Sequence, residues 1–197
     1  MYPVAFIIGA GGHIGLAVAN KLKQEGYNVA VGSRDPLQKD GLVPITVDVS
    51  NTDSIANAFA EVKERFGAAP SVVVFNGWAI LVCPPSTGPY SPPFTVAALA
   101  FPKVPKDPST VELSAVKTAA DITVGLFASL QQAVAGFRSL PPDSSEPRTF
   151  IFTGNRIPFL PRDAPWSDLF SLGLQKIDGA YLAEIFHTAY EREGFRY

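Results

Sequence analysis

Cysteine, methionine, tryptophan and histidine are all scarce in this 197-residue chain, at one, one, two and two residues. The single cysteine, Cys83, excludes an internal disulfide framework and agrees with a reducing compartment. An excess of either charge is also missing: 16 Lys and Arg are scattered among 18 Asp and Glu, for a formal charge of −2. That balance provides no basic face for nucleic acid and no polybasic patch for a membrane surface. No basic-then-apolar leader precedes the first strand-like run, and no apolar run approaches the length of a membrane span. A cytoplasmic location is therefore expected, without nucleic acid, membrane or metal as partner.

What the chain does have begins at Val4. The apolar run Val4-Ala5-Phe6-Ile7-Ile8 breaks into Gly9-Ala10-Gly11-Gly12-His13-Ile14-Gly15, and an amphipathic stretch with Leu16, Val18, Ala19 and Leu22 follows. Strand, glycine turn and helix in this order let the backbone approach a pyrophosphate, whose charge then sits on the N–H groups and positive dipole end of the helix. The spacing is G-x-x-G-x-x-G. Ile14 occupies the last glycine position of the G-x-G-x-x-G register, so the context carries more of the argument than the glycines do. Gly9, Gly11, Gly12, His13, Ile14 and Gly15 are the candidate phosphate-loop residues, with His13 read as a loop residue beside the phosphates.

Alternating strand and helix signals then predict one α/β domain over residues 1–197, a doubly wound parallel sheet in three layers. Strands are expected at Tyr27–Val31, Val43–Val47, Ser71–Val74 extending into Phe75, and Arg148–Phe152. Ser50 or Asn51 caps a helix with its core stripe at Ile55, Phe59, Val62 and Phe66, ending at Gly67. Asp35 to Gly41 is too short for a full crossover helix, which predicts an irregular edge. Ser109-Thr110-Val111-Glu112 reads as a capping box opening a helix through Ala135, and a last helix is expected from about Leu169 to Glu193. Eight prolines between Cys83 and Pro108 exclude ordinary helix there. This loop leaves the carboxyl end of a central strand and reads equally as a substrate-facing flap or an insertion.

These residues, taken in order, resemble the short-chain dehydrogenases/reductases over most of the chain. The glycine turn resembles the family's phosphate loop, Asp48-Val49 its adenine-contacting acidic turn, and Asn76-Gly77 its Asn-Ala-Gly turn. Gly125-Leu126-Phe127 fits the next helix, Thr153-Gly154-Asn155 falls where its catalytic serine region lies, and Leu172-Gly173-Leu174-Gln175-Lys176 looks like its Tyr-x-x-x-Lys helix. The resemblance implies a Rossmann fold, here expected to stop after the sixth helix with strand five left as an edge. It also implies a nicotinamide cofactor, a small carbonyl or alcohol as substrate, and a homodimer. Ser33-Arg34 replaces the carboxylate that usually closes strand two in NAD-preferring sites, which favours NADP over NAD, since Arg34 can hold a 2′-phosphate; a solvated surface arginine is the plainer reading. Asp48 could likewise simply cap its turn.

Catalysis departs from that pattern. Leu172 stands at the tyrosine position and has no proton to give, and Ile122 matches the relay asparagine. The serine position falls on Thr153, Gly154 or Asn155. Lys176 and Thr153 remain as the candidate catalytic residues, with Lys176 also a candidate for the nicotinamide ribose and, alternatively, an ordinary solvated helix residue. Tyr181 lies roughly 140° around the helix from Lys176 and should face elsewhere, whereas Tyr90 sits on the proline-rich loop. Two functions follow: an NADP-dependent oxidoreductase with an altered acid, or a non-catalytic nucleotide-binding sensor or partner subunit.

Overall fold

Five consecutive residues buried on both faces, Val4–Ile8, make β1 a central strand of a parallel sheet. The computed structural model describes residues 2–11, 13–76, 109, 111–142, 144, 146–161 and 170–197. Gly12, Gly77 and the proline-rich stretch of about 83–108, with Cys83 and Tyr90, lie outside them. After β1 come α1 (Ile14–Gln24), β2 (Asn28–Ser33), β3 (Val43–Thr46), α2 (Thr52–Phe66), β4 (Val72–Phe75), α3 (Leu113–Ser139), β5 (Arg148–Phe152), α4 (Phe170–Tyr190) and β6 (Phe195–Arg196). The strands are all parallel in the order β3-β2-β1-β4-β5-β6. This is the doubly wound order, in which the crevice lies at the carboxyl ends where the winding reverses, between β1 and β4.

Alternation along the strands divides the core into two layers. Phe6, Ile8, Val73, Phe75 and Phe150 face α2, α3 and α4, while Ala5, Ile7, Val72 and Val74 face α1. Asn51 caps α2 by accepting from the Ser54 N–H at 3.0 Å, and Gly67 ends it, as its sequence signals require. Residues 34–42 join β2 to β3 through bends and a turn, without a helix.

Several expectations are corrected. The residue before α3 is Glu112, whose side chain makes no capping bond, so Ser109–Glu112 does not open the helix as a capping box, and α3 continues past Ala135 to Ser139. Its 27 residues include a window of mean hydropathy 1.3, long and apolar enough for a membrane span by length and composition, contrary to the sequence expectation. That apolarity is used in packing: Leu126, Leu130 and Phe137 are buried in the layer between α3 and the sheet, and Ile122 is buried as well. The last helix is the fourth α-helix among the described residues, and a 3-10 turn at Glu191–Glu193 follows it.

The chain then enters β6, so strand five is not a bare edge. Phe195 pairs with Arg148 and Arg196 with Thr149, covering the first half of β5. Aromatic packing holds this short strand in place, with Phe195 against Phe137 at 5.3 Å and Tyr197 against Phe186 at 5.6 Å between ring centroids. Arg138 adds a two-pronged bond to Glu193 at 2.7 and 2.9 Å.

Candidate functional site

The carboxyl end of β1 supplies the first part of the site. Gly9 has φ 81°, a left-handed conformation that a side chain would strain, and its N–H with that of Ala10 donates to the Gly32 carbonyl at 2.8 and 3.1 Å. The turn thus leans onto β2 before rising into α1. A Cβ on Gly15 would sit 2.5 Å from the Ala10 Cα, so only glycine lets the helix pack this close to the loop. A Cβ on Gly11 would meet nothing within 4 Å, which leaves its backbone open to a ligand. His13 and Ile14 are exposed, the latter by 56 %, and the first turn of α1 contains no acidic residue to occupy its N–H groups.

A chain of hydrogen bonds runs from this turn across three strand ends to α4. The Asn76 side-chain N–H donates to the Gly9 carbonyl at 3.0 Å. The Thr153 hydroxyl lies 3.0 Å from the Asn76 Oδ1 and 3.3 Å from the Phe75 carbonyl, two acceptors for its one proton. The Lys176 Nζ donates to the Thr153 carbonyl at 2.7 Å and lies 4.7 Å above the Phe152 ring. Glycine turn, Asn76, Thr153 and Lys176 therefore form one continuous unit.

Lys176 is only 6 % exposed, which replaces the reading of it as an ordinary solvated helix residue. Burial lowers its pKa to about 8. Because this lies below the unfolded value, the cost of burying the ammonium is fully present below about pH 8 and is relieved as pH rises toward 10.5. The amount is on the order of 3 kcal/mol. Denaturant midpoints should therefore rise between about pH 8 and 10.5, and Lys176→Met should remove that rise; parallel pH curves for the two proteins would contradict it.

The remaining candidates sit along the same rim. Ser33 ends β2 with its Oγ buried and, among the described residues, without a partner, and Arg34 beside it is exposed. Asp48 uses Oδ1 to accept from the Ser50 N–H at 2.9 Å and the Ser50 hydroxyl at 2.7 Å. Those two bonds, followed by the charge of Arg34, hold its carboxyl below the usual range. The turn-capping role anticipated as an alternative is thus present. Val49 is half-buried against the core, its carbonyl facing Gly125 of α3.

Where the family pattern wants an acid, Leu172 is buried against Ile157 of the 3-10 turn Ile157–Phe159. Asn155 accepts from the Ile157 N–H at 3.0 Å and so serves that turn, leaving Thr153 as the residue of the Thr-Gly-Asn segment that joins the site. Ile122 is buried, and Tyr181 is 64 % exposed, facing away as its spacing indicated. Gln175 went unrecognised in the sequence: it is 4 % exposed, with neither end of its amide partnered among the described residues. A polar residue preceding a lysine gives no local signal of burial; only the packing of α4 on α3 and β5 reveals it.

A parallel six-stranded sheet with an open glycine turn at its switch point defines a doubly wound nucleotide-binding fold. No family model matches the sequence. A short chain dehydrogenase/reductase, dmxR12 from Cryptosporiopsis sp., is 32 % identical over 99 % of this chain and 74 % of its own length. Two solved structures share the fold: a 3-ketoacyl-(acyl-carrier-protein) reductase from Brucella melitensis complexed with NADH, and a short chain dehydrogenase from Burkholderia cenocepacia in complex with NADP. The first superposes with TM-score 0.73 at 16 % identity over 98 % of this chain and 72 % of its own. The second gives 0.69 at 15 % over 99 % and 69 %. The chain belongs to the short-chain dehydrogenase/reductase family.

Proposed function

We propose that this chain is an NADP-dependent oxidoreductase acting on a small carbonyl or alcohol. The observation that carries the reading is the continuous link from Gly9 through Asn76 and Thr153 to buried Lys176, which couples a phosphate-binding turn to the one titratable group at the site's centre among the described residues. Fit to a dinucleotide is supported by the open backbone at Gly11 and by the orphaned Ser33 Oγ at the rim where an adenosine ribose would lie.

On this reading residues 1–197 form one cofactor-binding domain. Gly9, Gly11, Gly12, His13, Ile14 and Gly15 hold the pyrophosphate, Ser33 and Arg34 the 2′-phosphate, Asp48 and Val49 the adenine, and Asn76, Gly77 and Lys176 the nicotinamide end. When bound, the nicotinamide supplies the hydride. Thr153 donates its proton inward, so it presents lone pairs that can accept from an alcohol hydroxyl, the product of carbonyl reduction. Arg34→Ala should weaken NADPH at least tenfold more than NADH, measured by nicotinamide fluorescence; equal losses would remove the 2′-phosphate assignment.

The exposed apolar residues Val116, Val124 and Phe127 of α3 and Ile177, Tyr181 and Ile185 of α4 support a homodimer through this face. The scattered charges support a cytosolic protein with a small-molecule substrate. The experiment for the function is cofactor oxidation with NADPH and a panel of carbonyl compounds. Oxidation dependent on one carbonyl is expected. Binding without oxidation by any member favours the sensor reading, for which the specific observation is buried Leu172 in place of an acid.

A further inference from the structure

We propose that Lys176 is itself the proton donor and acceptor of the reaction, taking over the step for which Leu172 has no group. The inference rests on the oxidoreductase reading. It starts from elimination among the described residues: Leu172 is apolar, the Thr153 hydroxyl is directed to Asn76 and Phe75, Asn155 is held in its own turn, and Tyr181 faces solvent. The Lys176 ammonium has three donor hydrogens, and the Thr153 carbonyl takes one. The Phe152 ring and the Thr153 backbone lie against it, and Leu172 stands one turn earlier on α4.

Lysine is a proton donor in water only far above neutral pH, so the site has to make the ammonium willing to part with its proton. Burial does this, bringing it to about 8, and among the described residues no nearby charge opposes it. Asp178 on α4 bonds Thr123 of α3 at 2.7 Å, Asp121 of α3 pairs with Lys117, and Arg156 ahead of the 3-10 turn is exposed. In the reduction, a bound reduced nicotinamide would supply the hydride to the carbonyl carbon, whose C=O π pair moves onto oxygen. A Lys176 N–H bond breaks and the proton joins that oxygen, leaving an alcohol and a neutral amine. The amine then takes a proton from water, which restores the ammonium.

Lys176→Arg separates this role from a grip on the cofactor, because guanidinium keeps the charge and the donors but does not release a proton in the working pH range. The variant is expected to bind NADPH within a few-fold of the parent and to lose turnover by about 100-fold or more. NMR of the NADP-bound protein with 13C-methylated lysines provides a readout independent of turnover: one resonance, missing in Lys176→Arg, should titrate near pH 8. Turnover retained by Lys176→Arg, or a Lys176 resonance titrating at the ordinary lysine value, would overturn the proposal alone. A parent protein that binds NADPH and reduces no carbonyl would overturn the oxidoreductase reading, and the proposal with it.

Discussion

Gly125→Ala is expected to cost about 3–5 kcal/mol of stability and to remove cofactor binding from whatever fraction remains folded. A Cβ at this position would lie 1.8 Å from the Val49 carbonyl oxygen and 2.9 Å from its carbon. Both are backbone atoms of the turn between β3 and α2, so no side-chain rotation can relieve the contact. Helix α3 would have to retreat by roughly 1.5 Å to reach ordinary van der Waals distance. Ile122, Leu126 and Leu130 nearby on α3 are buried and would lose packing as the helix moved. The same displacement would disturb Val49 and Asp48, whose carboxylate orders the rim through Ser50. Urea unfolding and a nicotinamide titration check the two halves of the expectation; a loss below about 1 kcal/mol would show that the close approach is not structural.

Leu172→Tyr is expected to raise carbonyl reduction by about tenfold to a hundredfold. Position 172 lies four residues before Lys176 and therefore above it on the same side of α4. A phenol there would stand beside an ammonium, whose charge favours loss of the phenolic proton. The larger side chain must displace part of the Ile157 contact, so a stability loss of about 1–3 kcal/mol should accompany the gain. Turnover and denaturant midpoint measured on one preparation separate these effects. An unchanged rate, in a folded protein that still binds the cofactor, would mean that position 172 does not reach the reacting atoms.

Elements with strong local signals were legible in the sequence. Arg148–Phe152 matches residue for residue, and Asn51 is the cap of α2 out of the two candidates Ser50 and Asn51, because β-branched and aromatic alternation and a side-chain oxygen before a helix are local properties. The start of α3 was not legible, since Ser109 to Glu112 has the letters of a capping box but Glu112 ends up as an uncapped boundary residue. Strand β6 was missed because two residues are too few to show a period; it is held by Tyr190, Phe186 and Phe137, distant in sequence or on other elements. At the site, the identities Asn76, Thr153 and Lys176 were available from spacing and resemblance, but the bonds joining them depend on the strand order. Burial of Lys176 and Gln175 depends on how α4 lies across β5, which no residue within α4 announces.

The most direct test of the central claim, that the linked Gly9, Asn76, Thr153 and Lys176 unit holds a nicotinamide dinucleotide, is a fluorescence titration of the purified chain with NADPH and NADH. Saturable enhancement with both, tighter for NADPH, is the result predicted. No enhancement with either, up to millimolar cofactor, would contradict it.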